Sequence, residues 1–453
     1  MTRVKDMTNG SPVRLIFLFA LPLILGSLGQ QLYMIVDTVI VGKGVGVEAL
    51  AALGATDWII WMILWSVQAL TQGFGILLSQ RFGAGDYCGL RQVLAMAVLL
   101  CAAIAAALTA ASLIAARPLL SLLQTPDSIF GGALSYLYTI CAGTVIVSAY
   151  NMAAAVLRSF GDGKSPLIAM GIAACVNIAL DILFVMGFGW GIVGAGIATL
   201  IAQFISFLYC LRVLRSLSFI RLDSGSWKPH AGCIRELCRL GVPLALQSVL
   251  IAVGGMILQR VINRYGVVLV AGFTATNKIY GVLECAAIAF GYAMTTYMAQ
   301  NYGACKAVRI RRGLKSGVLL SAAVSAGISL VMLLVGKRLL SMFVPESDAS
   351  AAAVIQTAWQ YLATMSVCLF ILYLLHTYRS ALQGLGNTAA PFVSGCIEFV
   401  MRVSIALVFP SFFGAQGLFL AEPGAWTGAA VFLCVSYYRH EKKVMRELER
   451  AAA

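Results

Sequence analysis

Charge is what this chain of 453 residues has least of: Lys, Arg, Asp and Glu make 11% of it, with 18 acidic residues and three histidines. A soluble domain is roughly a quarter charged. With 60% hydrophobic residues and a mean hydropathy of +0.91, there is too little polar surface to coat a water-facing globule of this size. That excludes a soluble catalytic or nucleic-acid-binding module and leaves an integral membrane protein. Chemical constellations are missing as well. No H-E-x-x-H, G-x-S-x-G, C-x-x-C or Cys/His cluster occurs, so no enzyme and no cofactor is expected. The twelve cysteines are scattered, mostly in apolar stretches, and read as small buried residues. Gly161-Asp162-Gly163-Lys164-Ser165 resembles the end of a phosphate loop, but Arg158 stands where its first glycine belongs and Pro166 follows.

What is present is a regular alternation. At about 20 residues per span, the apolar runs supply twelve membrane helices, near 15–41, 52–77, 93–116, 133–157, 167–189, 191–213, 240–262, 267–298, 314–343, 354–383, 390–413 and 417–438. The first carries Asp37, is long and lacks an A-x-A cleavage site, so it reads as a retained helix. The net charge of +14 comes from basic residues clustered in alternate loops, where 24 of the 32 Lys and Arg lie, Arg379 counted among them. The positive-inside rule then places both termini in the cytoplasm. The expected organisation is an N-terminal lobe over 1–214, a cytoplasmic linker over 215–239, a C-terminal lobe over 240–438 and a basic tail over 439–453.

The halves repeat. Leu21-Pro22-Leu23 recurs as Val242-Pro243-Leu244, Ala55-Thr56 as Ala275-Thr276, the run from Gln80 to Ala84 as Gln300 to Ala304, and Gly161 with Pro166 as Gly386 with Pro391. The offset holds between 220 and 225 residues through six helices. Because each repeat has an even number of spans, the lobes should be related by a pseudo-twofold axis along the membrane normal.

An ionisable group at a helix centre in a bilayer costs at least about 2.5 to 3.5 kcal/mol, so each is a functional candidate. In the first half these are Asp37 and Asp181, the latter one turn after Asn177. Asn177 and Asp181 share a helix face. If a second helix brings Asp37 alongside, two carboxylates and an amide form a pocket suited to H⁺ or to a hard cation such as Na⁺; the alternative is that each Asp satisfies a helix break or a neighbouring amide. The second half holds Lys278, Glu284, His376, Arg379, Glu398 and Arg402. Glu398 and Arg402 have the i, i+4 spacing of an intrahelical ion pair, read as structural or as handling substrate. Lys278 either snorkels to the outer face or pairs with an acid. Trp58, Trp61 and Trp65 form a stripe on one helix face, an interfacial belt or a stacking wall for aromatic cations. Pro22, inside the helix of Asp37, removes a backbone hydrogen bond and marks a hinge.

The segment Pro22 to Gly46, the run Ser79-Gln80-Arg81-Phe82-Gly83-Ala84-Gly85-Asp86, Arg158 to Asp162 with Pro166, Asn177, Asp181, Gly194 to Thr199, and the echoes Gln300 to Ala304 and Gln383 to Asn387 resemble the multidrug and toxic compound extrusion (MATE) transporters over essentially the whole chain. The resemblance implies a V-shaped pair of six-helix lobes in the bacterial inner membrane, a monomer exporting cationic, often aromatic compounds in exchange for H⁺ or Na⁺. In the DinF-like branch the coupling residues match Asp37, Asn177, Asp181 and Thr199, and the hinge proline matches Pro22. The NorM-like branch has a Glu on helix 7, where this chain has Ile251. The alternative is a lipid-linked saccharide flippase of related architecture, which should line its cavity with Arg and Lys deep in both lobes.

Overall fold

The structure is a computed structural model that describes residues 4–342 and 351–452. Backbone polar groups inside a bilayer must be satisfied within their own segment, and long apolar runs do this as helices. The described residues accordingly form helices and no strand. In chain order these are α1 (Pro12–Gly44), α2 (Val47–Gly83), α3 (Tyr87–Leu122), α4 (Asp127–Ala142), α5 (Thr144–Ser159), α6 (Lys164–Asp181) and α7 (Gly191–Arg215), then α8 (Ala231–Ile262), α9 (Val267–Gly303), α10 (Ala307–Ser341), α11 (Ala351–Gly384), α12 (Ala389–Val408), the short α13 (Pro410–Phe413) and α14 (Ala421–Ala452).

Thirteen of these, all but α13, make up twelve membrane spans. α4 and α5 are one span bent by 46°. The apolar helical stretch Ala389–Arg450 has 62 residues, about 90 Å if straight, three times the hydrocarbon thickness. It instead folds back at Pro410, and α12 lies along α14: Gly424 meets Ile405, and Gly428 meets Met401 and Ile397. The repeat is visible in element lengths, for α2 and α9 both have 37 residues and both follow a left-handed glycine, Gly46 (φ 116°) and Gly266 (φ 90°). The span boundaries differ from the sequence reading mainly at helix ends. α8 begins at Ala231 rather than near 240, and the basic tail is a continuation of α14, tied to α10 by Arg311 and Glu441 at 3.1 Å.

By its contacts the chain divides into unit 1 (Met1–Asp6 and Leu21–Ala245) and unit 2 (Met7–Ala20 and Leu246–Ala453). The start of α8 belongs to unit 1 because Gly73 of α2 and Gly241 of α8 let the two backbones meet; a Cβ on Gly73 would lie 2.8 Å from the Gly241 nitrogen. Residues 7–10 belong to unit 2 because its side chains grip them. Met7 N–H donates to Gln300 Oε1 (2.9 Å), Asn301 Nδ2 and Arg309 Nη2 donate to the Met7 carbonyl (3.1 and 3.0 Å), and Lys306 Nζ donates to the Thr8 carbonyl (2.8 Å). The stretch that mimics a phosphate loop is a helix cap. Asp162 accepts from the Lys164 and Ser165 amides (3.0 and 2.9 Å), so the donors a phosphate would need are taken.

Candidate functional site

In unit 1 the four expected coupling residues come together from three helices. α1 carries Asp37, α6 carries Asn177 and Asp181 one turn apart, and α7 carries Thr199. Asn177 and Asp181 are 2% and 0% exposed. Asn177 Nδ2 donates to Thr199 Oγ1 at 3.3 Å, and the carboxyls of Asp37 and Asp181 lie within hydrogen-bonding reach of each other. The packing of α1 on the span of α6 is close: a Cβ on Gly26 would sit 3.1 Å from Met170, and one on Gly44 3.0 Å from Val185.

Four oxygens of this group are buried with no hydrogen-bond donor among the described residues: Asp37 Oδ1, Asn177 Oδ1 and both oxygens of Asp181. A buried acceptor left unsatisfied costs about 1 to 3 kcal/mol, and adjacent like charges repel strongly at low dielectric. A proton removes one charge and supplies a donor; a small hard cation satisfies several oxygens together. The donor set of two carboxylates, an amide oxygen and a hydroxyl therefore fits H⁺ or Na⁺. Directly after Asp181 the helix widens into a π turn, Ile182–Gly187, a local distortion common at functional sites. Pro22 lies inside α1, which runs unbroken through it.

Around the carboxylates stand residues the sequence reading did not single out. Tyr33, one turn before Asp37, faces Asp37 and Asp181 and hydrogen-bonds Gln30. Tyr136 of α4 faces Asp37, Asp57, Tyr33 and Asp181. Asp57 of α2 was findable, since it interrupts an apolar run as Asp37 does; neither tyrosine carries any local signal. On the same helix Trp61 stacks on Trp65 (centroids 5.4 Å apart) and meets Trp58 edge-on (5.9 Å).

Unit 2 corrects one expectation. Glu398 and Arg402 do not pair with each other. Glu398 bonds Arg379 of α11, and Arg402 Nη2 bonds Glu422 of α14 at 2.8 Å while Nη1 donates to the Ile251 carbonyl at 3.3 Å. Spacing along α12 offered only an intrahelical partner, whereas neighbouring helices deliver a counter-charge to each side chain. Arg379 is thus a buried helical residue, 9% exposed, and not a loop charge. Glu284 of α9 lies in the same group, hydrogen-bonded to Tyr280 and facing Glu422, Arg402 and Glu398. Lys278 is exposed and in no ion pair among the described residues.

A bundle of twelve spans with a cluster of buried, unsatisfied oxygens inside one repeat is the make-up of a membrane transporter. The MatE family model matches it twice, over residues 22–183 and 243–408, and the chain belongs to that family. It is 28% identical over 446 residues to the probable multidrug resistance protein YpnP of Bacillus subtilis, covering 97% of each chain. It is 24% identical to the probable multidrug resistance protein NorM of Thermotoga maritima, over 90% of this chain and 87% of the relative. Among solved structures, a MOP superfamily transporter from Pyrococcus furiosus superposes with a TM-score of 0.91 at 21% identity, covering 97% of this chain and 98% of that one.

Proposed function

We propose that this protein is a multidrug efflux antiporter of the DinF-like branch, exporting cationic, often aromatic compounds in exchange for H⁺ or Na⁺ bound at Asp37, Asn177 and Asp181. The observation that carries the reading is the set of four buried, donorless oxygens on α1 and α6. Such a site attracts a positive charge of either kind, so an inward-moving ion and an outward-moving organic cation compete for it. Ion binding cancels the negative charge that holds the substrate, and Pro22 gives α1 a place to bend when that charge disappears. Thr199 positions Asn177 through its hydroxyl. The names of the bacterial relatives, multidrug resistance proteins, support the same reading.

In this reading the protein is a monomer of the bacterial inner membrane acting on small molecules, and the clustering of basic residues in alternate loops supports cytoplasmic termini. The flippase alternative gains nothing from the geometry: the buried arginines of unit 2 are each paired with a glutamate, and the pocket of unit 1 is acidic. The test is uptake of ethidium into vesicles reconstituted with the purified protein, with pH, Na⁺ and electrical gradients imposed separately. Uptake driven by an ion gradient supports exchange; uptake indifferent to every gradient rejects it.

A further inference from the structure

The charges gathered in unit 2 do not balance. Two guanidiniums, Arg379 and Arg402, are met by three carboxylates, Glu284, Glu398 and Glu422. Arg379 is bonded to Glu398, and Arg402 to Glu422 and the Ile251 carbonyl, which leaves Glu284 as the acid with no guanidinium bonded to it. Its hydrogen bond is to Tyr280, one turn earlier on α9. The two nearest acids, Glu422 and Glu398, repel it, and Arg402 already serves another carboxylate.

Among the described residues, nothing else on the surrounding helices supplies the missing positive charge. Lys278 is six residues before Glu284, about 120° away around α9 at 3.6 residues per turn, and exposed. α10 has no ionisable residue between Lys315 and Lys337, nor α8 between Arg239 and Arg260. From α11 come Tyr361, Tyr373 and His376; Tyr373 spends its hydroxyl on the Leu283 carbonyl at 3.0 Å, and His376 stands one turn before Arg379, itself a cation. Aromatic rings border the group. Tyr280 stacks on Trp426 (5.9 Å), and Tyr361 lies between Phe273 (4.9 Å) and Phe419 (5.2 Å). An uncompensated negative charge in this half-buried position is neutralised most cheaply by a single small positive charge.

We propose that Glu284 is a second coupling site, holding one H⁺ or Na⁺ per cycle in addition to the ion at Asp37 and Asp181. The site is built from α9, α12 and α14 of unit 2, and Arg379 and Arg402 confine it to one ion by cancelling the other two carboxylates. This rests on the exchange reading above and fixes its stoichiometry. One ion exchanged for one monovalent drug moves no net charge, whereas two move one charge per cycle. A tenfold ion gradient then supports about 100-fold accumulation of a monovalent cation instead of about tenfold, because each ion contributes one factor of ten.

The experiment is ethidium accumulation by the full-length protein in vesicles, comparing the wild type with Glu284→Gln. The wild type should accumulate about 100-fold at a tenfold ion gradient, and a potential positive inside the vesicle should raise uptake, the opposite of what it does to passive leak. Glu284→Gln should fall to about tenfold and lose the response to potential. An arm with only a pH gradient and an arm with only a Na⁺ gradient, in otherwise matched buffers, identify the ion that fills the site. Tyr280→Phe, which leaves the carboxylate and removes its hydrogen bond, should keep the two-ion limit and shift the ion concentration for half-maximal uptake; it keeps the idea testable if the first variant misfolds. His376→Gln should keep both the limit and the voltage response. Driven wild-type uptake that ignores potential, or a Glu284→Gln limit equal to wild type, overturns the second site alone. Absence of any gradient-driven uptake overturns the exchange reading and this proposal with it.

Discussion

Asn177 of α6 and Arg402 of α12 occupy the same place in the two repeats, by the register that pairs Gly161 with Gly386 and Pro166 with Pro391. In unit 1 the helix around this place bears Asp181 and faces Asp37; in unit 2 the matching residues are Ala406 and Leu258, both buried. At this place one repeat thus presents acceptor oxygens with no basic side chain bonded to them among the described residues, and the other carries a cation covalently, as the Arg402 guanidinium bonded to Glu422. The difference separates two uses of buried charge. An unsatisfied pocket draws an ion from solution and can be emptied; a satisfied pair holds helices together and cannot cycle.

The largest effect is expected where the pocket is made unable to change charge. Asp37→Asn and Asp181→Asn each keep the side chain's volume but cannot release a proton or hold a cation by charge, so gradient-driven ethidium transport should drop to background in vesicles. Folding should survive, since a buried charge is removed rather than stranded. A normal rate in either variant would dissolve the distinction between the units. Glu398→Gln should do the reverse: it strands the Arg379 guanidinium, a loss of about 3 to 5 kcal/mol for a fully buried pair, read as lower thermal stability. Gradient-driven transport through Asp37 and Asp181 should persist in whatever protein folds. The double variant Arg379→Met with Glu398→Leu should recover most of that stability, because both charges leave together.

Much of this contrast was legible in the sequence, and the part that was not has a physical reason. Hydrophobic run length specifies a membrane helix almost without help from tertiary structure, so the twelve spans and the internal repeat could be read directly. The pocket of unit 1 was readable because Asn177 and Asp181 share a face by spacing alone and Asp37 is a costly residue in an apolar run. The partners of Glu398 and Arg402 were not, since spacing along one helix says nothing about Arg379 and Glu422 arriving from two others. Glu422 in particular lies in the first turn of α14, within the expected span 417–438, where spacing along α14 does not point to Arg402. The exchange of residues 7–20 for the start of α8 was also hidden, because it depends on tertiary contacts: the close approach of Gly73 to Gly241, and the grip of Gln300, Asn301, Lys306 and Arg309 on residues 7–10.

That approach gives an intermediate effect and a second contrast. The places of Gly73 and Gly241 in unit 2 are taken by Ala293 and Ala20, both fully buried. Gly73→Ala should therefore be tolerated only if α2 and α8 can separate to the spacing that alanines require. With Phe74 and Leu70 within 2.8 and 3.0 Å of a Cβ on Gly241, little room exists on the other side of the contact. A loss of about 1 to 3 kcal/mol is expected from overpacking, seen as a lower unfolding temperature with unchanged ion dependence in the surviving fraction. A variant as stable as wild type would mean that unit 1 can relax to the packing of unit 2.

The smallest effect sharpens the comparison at its centre. Asn177→Ala removes one of the donorless oxygens and the hydrogen bond to Thr199, but leaves both titrating carboxylates in place. If the carboxylates supply the charge and the amide only helps to coordinate it, the ion should still bind and still drive transport, at a concentration about tenfold higher. That shift corresponds to about 1.4 kcal/mol, the scale of one hydrogen bond or one neutral ligand. The maximal rate at saturating ion should stay near wild type. Loss of transport as complete as in Asp37→Asn would show instead that Asn177 is indispensable to the site, and that the amide at position 177 decides ion coupling in unit 1 as fully as the two carboxylates do.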